Sequence, residues 1–93
     1  MKLSRYGKKI HSPIKFVGIP KTIDNDLVGM DHTPGYGSVA KYVGSAVRSI
    51  IWDAGVYEQP VVIIIELMGR HAGWITAASA LARTDYEPNP VLI

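Results

Sequence analysis

Residues 61–65 read Val-Val-Ile-Ile-Ile, a run in which every side chain is apolar and β-branched. β-Branched residues favour strands, and a strand without polar alternation is typical of a parallel sheet that is covered on both faces. The stretch from Val61 to Ile65 therefore predicts a central parallel strand, and with it an α/β fold.

The segments on either side of this strand predict helices. Before it, apolar residues recur at three- and four-residue steps and define one stripe on a helix, with Pro34 as an early helical residue and an end near Gly55. After it, the alanine-rich residues from Trp74 to Arg83 predict a helix that packs closely on the sheet. The members of the stripe are Val39, Val43, Ala46, Val47, Ile50, Ile51 and Ala54.

The rest of the chain completes an alternating order of elements. A short amphipathic helix opens the sequence, residues Ile14–Ile19 (IKFVGI) predict a further strand, and Val91–Ile93 is expected to begin another. The order αβαβα(β), with right-handed crossovers, predicts an open parallel sheet with helices on both faces. Ligands of such sheets bind beyond the carboxyl ends of the strands.

Composition excludes several classes of protein. With 93 residues the chain holds one domain at most, and without cysteine it can have no disulfide or thiolate metal site. Its longest apolar run is far too short to span a membrane, and no signal peptide opens it, so a cytoplasmic location is expected. The net charge is only +2, and the N-terminal basic residues are expected on the solvated face of the first helix rather than on nucleic acid.

The loop after the first predicted strand concentrates groups that suit phosphoryl transfer. In that chemistry one carboxylate can accept a proton, a second can hold Mg²⁺, and a cation can offset the charge on the transferred group. Clusters of Asp and Asn also form turns or surface calcium loops, and composition alone leaves a turn and a site equally open. The loop reads Lys21-Thr22-Ile23-Asp24-Asn25-Asp26.

The loop after the second predicted strand contains Met68-Gly69-Arg70 and then Gly73. The forked guanidinium of Arg70 suits phosphate oxygens, and the glycines would let the backbone approach a ligand. In a purely structural alternative, Arg70 pairs with Glu66 and the glycines only turn the chain. Because both loops follow strand carboxyl ends, they are expected to face the same crevice.

These two loops together resemble the phosphofructokinase family, and more closely its pyrophosphate-dependent members. The resemblance is carried by Gly18–Asp26 (GIPKTIDND) and by Met68-Gly69-Arg70, and it covers the chain from Lys2 to about Ala82. Each motif follows a predicted strand, and the pair is more specific than either motif alone. The resemblance implies the layered, Rossmann-like parallel sheet of that family.

The resemblance also implies roles for individual residues. Asp24 matches the proton acceptor that takes the proton from the C1 hydroxyl of fructose 6-phosphate. Asp26 matches a second aspartate that supports catalysis through Mg²⁺, and Lys21 matches a lysine that stabilises the transition state in pyrophosphate users. The family's substrate-binding residues correspond to Thr22, Ile23, Asp24, Met68, Gly69 and Arg70.

The implied reaction is phosphoryl transfer from pyrophosphate to fructose 6-phosphate, giving fructose 1,6-bisphosphate in glycolysis. ATP remains an alternative donor, since some ATP-dependent relatives also have lysine at the position of Lys21. The family's glycine-rich donor loop would precede Met1 and further substrate residues would follow Ile93. Residues 1–93 are therefore expected to be a single incomplete segment of a phosphofructokinase domain, in a full-length protein that is a homo-oligomer.

Two departures and two competing functions stand beside this interpretation. The family's arginine that reaches a neighbouring subunit is replaced in the region Glu58–Val61, and the usual Gly-Phe-Asp becomes Gly35-Tyr36-Gly37. A fragment that binds the sugar phosphate without catalysis is the first competitor. A generic nucleotide-binding module is the second, and it is disfavoured because neither G-x-G-x-x-G after a strand nor a P-loop is present.

Overall fold

Helices are the regular elements of the chain in a computed structural model, which describes residues 2–84, 91 and 93. Helix α1 comprises Lys2–Lys9, helix α2 comprises Tyr36–Ala54 and helix α3 comprises Trp74–Ala78. A 3₁₀ helix, Ser79–Ala82, continues directly from α3. None of the helices in this described part is long and apolar enough to cross a membrane.

Helix α2 confirms the helix that the apolar periodicity predicts. It begins shortly after Pro34 and ends at Ala54, and the N–H of Gly55 donates to the carbonyl of Ile51 at 3.0 Å as the helix closes. Its apolar stripe faces the other helical elements because residues four positions apart share a helix face. The members of the stripe that enter the core or pack against it are Val39, Val43, Val47 and Ile51.

The core is small and lies between α2 and the segment formed by α3 and the 3₁₀ helix. Val43 and Val47 of α2 cluster with Ile75 of α3 and Ala82 of the 3₁₀ helix. Ile75 is only 1% exposed. Burial of such a side chain contributes about 1.5–3 kcal/mol, so this contact fixes the start of α3 against α2.

Helix α2 approaches the 3₁₀ helix through a glycine and an arginine. A Cβ atom on Gly44 would lie 3.2 Å from the Cβ of Leu81, so the glycine permits the close approach. Arg48, one turn later, donates from Nη2 to the carbonyl of Leu81 at 3.1 Å and from Nε to that of Ala82 at 3.4 Å. These bonds satisfy carbonyls at an end where the helix itself cannot supply donors.

The helix predicted from Trp74 to Arg83 is divided at Ser79, where α-helix gives way to 3₁₀ helix. The Ser79 hydroxyl donates to the carbonyl of Thr76 at 2.7 Å. This bond spans three residues, which is the spacing of a 3₁₀ turn and an alternative to the α-helical ladder.

The segments predicted as strands, Ile14–Ile19 and Val61–Ile65, have no strand assignment within the described residues. Their side chains remain in solvent, and Val62 and Ile64 are 89% and 92% exposed. A strand forms when a neighbour satisfies its backbone N–H and C=O groups, and no such neighbour lies beside these segments in the described part. The open parallel sheet of the α/β fold therefore stays a prediction.

The β contact of the described residues is a single parallel bridge between Thr22 and Gly35. The third predicted strand, Val91–Ile93, falls partly outside the described residues because Leu92 is not among them. The predicted order αβαβα(β) thus has its helices in place, while its strands stay untested.

The chain is extended as a whole. Its radius of gyration is 20.2 Å and its principal extents are 71, 21 and 18 Å, whereas a compact domain of this length has a radius of about 12 Å. At the N-terminal end, α1 contacts the ring of Phe16, which lies directly on Gly7. The residues of the two predicted polar loops lie near the helical core rather than near α1.

Candidate active site

The first polar loop is closed by the parallel bridge between Thr22 and Gly35. Inside the loop, the Thr22 hydroxyl accepts a hydrogen bond from the N–H of Asp24 at 3.1 Å, which is a turn that Ser and Thr side chains commonly make. Asn25 follows in the left-handed conformation with φ 54°, which Asn adopts more readily than most residues. Asp24 therefore sits between two residues whose backbones are fixed.

Asn25 and Thr33 form a buried polar pair that joins the two arms of this loop, and we call it the Asn25–Thr33 clasp. Asn25 Oδ1 accepts from the N–H of Thr33 at 2.9 Å, and Asn25 Nδ2 donates to the carbonyl of Asp31 at 3.0 Å. The Thr33 hydroxyl lies 2.8 Å from the carbonyl of Thr22 and 3.2 Å from Asn25 Oδ1. A hydroxyl has one proton, and the shorter distance assigns it to Thr22.

The second polar loop is a tight turn that rests on the core. Gly69, Arg70 and Gly73 have φ values of 141°, 51° and 71°, and the N–H of Ala72 donates to the carbonyl of Gly69 at 3.0 Å. A Cβ atom on Gly69 would lie 4.0 Å from the Cβ of Ile75, a core residue that is only 1% exposed. The turn is thus carried directly by the packing of α3.

The two loops meet around an open cavity of about 430 Å³. Arg70 Nε lies 3.9 Å from Asp24 Oδ2, so the cation pairs with Asp24 rather than with Glu66. The side chain of Asp24 is 17% exposed and that of Arg70 is 82% exposed, which leaves the guanidinium open to a ligand. The cavity is lined by Lys21, Thr22, Ile23, Asp24, Met68, Gly69 and Arg70.

These lining residues are the predicted site residues with one exception. The sequence predicts that the two loops face one crevice, and the structure brings them together in that way. Asp26 does not line the cavity, and it is exposed two residues beyond Asp24. The roles assigned to the individual side chains stay predictions, since geometry alone does not test them.

The side chain of Lys21 lies over Gly35. A Cβ atom on Gly35 would be 3.1 Å from Lys21 Cε and 3.7 Å from Nζ, and Gly35 itself has φ 102°. The absence of a side chain at Gly35 therefore gives the lysine stem its path across the loop. Gly35 thus forms the bridge that closes the loop, and it also determines the position of Lys21, the predicted transition-state lysine.

The carboxylates of the first polar loop fit one kind of metal site. In the part of the chain that the structure describes, no three His, Cys, Asp or Glu side chains gather as a metal-binding cluster. Mg²⁺ at phosphoryl-transfer sites is usually held by one or two carboxylates together with water and substrate phosphates. The exposed carboxylate of Asp26, beside Asp24, suits an ion that arrives with a phosphate ligand.

The sequence pattern gives no sign of the buried hydrogen bonds between Asn25 and Thr33. In the sequence, Asn25 is one member of an Asp and Asn cluster, and nothing marks Thr33 as its partner. The available signal was the chemistry of Asn itself, since it both tolerates positive φ and bonds to nearby backbone. Its partner eight residues away is a non-local contact that no local pattern indicates.

Comparison with known proteins gives a consistent result. The family described as Phosphofructokinase matches residues 1–88. Among curated relatives, "Pyrophosphate--fructose 6-phosphate 1-phosphotransferase" of Methylococcus capsulatus is 45% identical over 87 residues, covering 91% of this chain and 21% of that protein. "Sulfofructose kinase" of Alkalicoccus urumqiensis is 47% identical over 76 residues, covering 78% of this chain and 19% of that protein.

A third relative has a different phosphoryl donor in its name. "ATP-dependent 6-phosphofructokinase" of Chloroflexus aurantiacus is 38% identical over 74 residues, covering 80% of this chain and 20% of that protein. The chain thus spans about a fifth of the length of the curated relatives it matches. No solved structure matches the chain.

Proposed function

Because this chain belongs to the phosphofructokinase family, we propose that it carries the acceptor loop of an enzyme that transfers a phosphoryl group from pyrophosphate to fructose 6-phosphate. The products are fructose 1,6-bisphosphate and orthophosphate, which leaves as the bridging P–O bond of pyrophosphate breaks. The observation that carries the proposal is the approach of Asp24 Oδ2 to Arg70 Nε, 3.9 Å apart across one cavity. A proton acceptor and an anion-binding group are the two protein groups that the acceptor side of this reaction needs.

Asp24 is the proton acceptor in this proposal. Its carboxylate borders the cavity, and its own N–H is held by the Thr22 hydroxyl at 3.1 Å. Proton removal makes the C1 oxygen of the sugar a better nucleophile as it attacks phosphorus, and the proton goes to a carboxylate oxygen of Asp24. Since the Thr22 oxygen accepts from the backbone, its own hydroxyl proton remains available to a substrate oxygen.

Arg70 and Lys21 supply positive charge on the two sides of the reaction. The guanidinium of Arg70, which is 82% exposed, can bind phosphate oxygens with two parallel hydrogen bonds. The ammonium of Lys21 can offset the charge that builds on the transferred group. Met68 and Gly69 complete the wall of the cavity beside Arg70.

Mg²⁺ is part of the proposal as an ion shared with the donor phosphates. Asp26 would hold it, because this carboxylate is exposed two residues beyond Asp24 and carboxylates are among the ligands that such an ion prefers. When bound, the ion would neutralise negative charge on the phosphoryl donor.

The identity of both substrates is proposed from the relatives and from Lys21. The Methylococcus relative is named for pyrophosphate and fructose 6-phosphate, while the Chloroflexus relative is named for ATP and the Alkalicoccus relative for sulfofructose. Lys21 favours pyrophosphate, since the family resemblance matches it to the transition-state lysine of pyrophosphate users. Pyrophosphate with fructose 6-phosphate is therefore our first choice.

The fold and assembly complete the proposal. We expect Ile14–Ile19 and Val61–Ile65 to pair as parallel strands within a larger sheet, because their apolar side chains are otherwise left in solvent. Residues 1–93 would then be one segment of a phosphofructokinase domain. A homo-oligomer and a cytoplasmic location of the full-length protein stay predictions.

The test is a four-way turnover assay of the full-length gene product with Mg²⁺. Pyrophosphate and ATP are each paired with fructose 6-phosphate and with sulfofructose, and the bisphosphorylated or phosphorylated product is quantified. We expect the highest kcat/KM for pyrophosphate with fructose 6-phosphate. A higher value with ATP would replace the donor, and a higher value with sulfofructose would replace the acceptor.

The competing non-catalytic function has its own signature in the same experiment. Calorimetric binding of fructose 6-phosphate without turnover from either donor would replace the enzyme proposal by a sugar-phosphate-binding role. Neither binding nor turnover would contradict both functions. The four-way assay thus separates the donor, the acceptor and the absence of chemistry.

A further inference from the structure

Two buried polar residues lie beside the cavity without lining it. Asn25 and Thr33 are 9% and 2% exposed, and both belong to the loop that carries Asp24. Buried polar side chains are costly unless their hydrogen bonds are made, so a buried pair in a loop calls for an explanation. Both polar atoms of the Asn25 side chain make hydrogen bonds, Oδ1 with the N–H of Thr33 and Nδ2 with the carbonyl of Asp31.

We propose that Asn25 and Thr33 are positioning residues that set the direction of the Asp24 carboxylate towards the acceptor hydroxyl. The inference rests on the proposed function, in which Asp24 takes the proton. Neither residue touches the cavity, so neither is proposed to bind substrate.

The hydrogen bonds form a continuous path from Thr33 to Asp24. The Thr33 hydroxyl donates to the carbonyl of Thr22 at 2.8 Å, and the Thr22 hydroxyl accepts from the N–H of Asp24 at 3.1 Å. On the other side, Asn25 is bonded to Thr33 and to the carbonyl of Asp31. Both neighbours of the Ile23–Asp24 dipeptide are therefore anchored to the same buried threonine.

The backbone of Asn25 makes this anchoring directional. Its φ of 54° turns the chain sharply just after Asp24, so the carboxylate is directed by the turn as well as by its own rotamer. The Asn side chain holds the turn through the N–H of Thr33 at 2.9 Å. Loss of either partner would let the turn relax, and a catalytic group displaced by about 1 Å can cost about 100-fold in rate.

The arrangement also explains why the clasp is buried while Asp24 is not. The hydrogen bonds of the clasp must be shielded from water, because an exposed hydrogen bond would exchange its protein partner for solvent and would not hold the loop in place. The base must meet the substrate, and the side chain of Asp24 is 17% exposed towards the cavity. The loop thus has a buried side, which contains the clasp, and an open side, on which Asp24 can meet the substrate.

The test compares three variants of the full-length gene product. Thr33→Val keeps the shape of the side chain and removes the hydroxyl, and Thr33→Ser keeps the hydroxyl. Ser79→Ala is the matched control, because it removes another buried hydroxyl, one that donates to the carbonyl of Thr76 at 2.7 Å and does not line the cavity. For each variant kcat, KM for fructose 6-phosphate and the thermal midpoint are measured.

We expect Thr33→Val to lower kcat about 10- to 100-fold while KM stays within about threefold, as for a displaced base with intact substrate binding. Thr33→Ser should restore kcat to within about threefold of the parent, since the hydroxyl donor returns. Ser79→Ala should lower the thermal midpoint and leave kcat unchanged. If kcat of Thr33→Val stays near the parent value, or falls only as far as that of Ser79→Ala, the proposal is overturned.

If the parent protein shows no turnover, that result counts against the proposed function. A second measurement then still tests the clasp. Amide hydrogen exchange of a peptide spanning residues 22–33 is followed in the parent and in Thr33→Val. The clasp predicts about tenfold faster exchange in the variant, because the anchored backbone opens more often. Equal exchange rates would refute the clasp whatever the enzyme does.

Discussion

Asp24→Asn is the substitution that tests the proposed base most directly. Asn has nearly the same size as Asp, so the change removes the charge and the proton acceptor while leaving the shape of the cavity wall. The hydrogen bond from the N–H of Asp24 to the Thr22 hydroxyl involves backbone and is retained. The variant therefore separates chemistry from folding.

The structure sets the expected sizes of the two effects. The recorded ionic contact of Asp24 is with Arg70, whose side chain is 82% exposed, at a distance of 3.9 Å. An ion pair this open to water contributes at most about 1 kcal/mol, and solvent screening reduces that further. Removal of a general base lowers turnover about 10²- to 10⁴-fold. Turnover should thus collapse while stability hardly changes.

The assay measures fructose 1,6-bisphosphate formation and thermal unfolding of the full-length gene product side by side. Fructose 6-phosphate binding is followed by calorimetry and should be largely intact, since Arg70 is retained. Asp53→Asn is the control, because it makes the same chemical change on an exposed residue of α2 away from the cavity. The assignment of the base is refuted if Asp24→Asn turns over at a rate near that of Asp53→Asn.

Three further substitutions probe the other parts of the site. Lys21→Met keeps the side-chain stem over Gly35 and removes the ammonium group. This change should lower kcat with pyrophosphate about 100-fold. An unchanged kcat would show that the lysine does not stabilise the transition state. Arg70→Lys keeps the positive charge and loses the forked guanidinium. KM for fructose 6-phosphate should rise about tenfold or more, because a charge-assisted hydrogen bond is worth about 1.5–3 kcal/mol. An unchanged KM would contradict phosphate binding by Arg70. Ile75→Ala should lower the free energy of unfolding by about 2–5 kcal/mol, whereas Ile75→Val should lower it by about 0.5–1.5 kcal/mol. If calorimetric unfolding gives the same loss of free energy for both variants, Ile75 is not tightly packed beneath Gly69.

Local pattern was sufficient for helix α2, and the predicted meeting of the two loops is observed. The four-residue spacing of Val39, Val43 and Val47 predicts α2 because that spacing alone places apolar groups on one face. The convergence of the Lys21–Asp26 loop with Met68-Gly69-Arg70 was predicted from strand order, and the two loops do share a cavity. The roles of their side chains came from the family resemblance rather than from pattern.

Contacts between residues distant in sequence were beyond prediction. The hydrogen bonds from Asn25 to Thr33 and from Arg48 to Leu81 depend on how whole segments are placed, and no periodicity encodes them. The change to 3₁₀ helix at Ser79 depends on one hydroxyl bond that competes with the α-helical ladder. The sequence offered Glu66 as the ion-pair partner of Arg70, whereas in the structure Arg70 Nε lies 3.9 Å from Asp24 Oδ2.

The exposed run from Val61 to Ile65 has a consequence for handling the polypeptide. Short uncharged β-branched stretches with unsatisfied edges are the segments from which amyloid-like aggregates grow. This one is flanked by Pro60, which cannot donate to a ladder, and by Glu66, whose charge repels a stacked copy. The two flanking residues act as gatekeepers, so the sequence itself limits self-association while the run is unpaired.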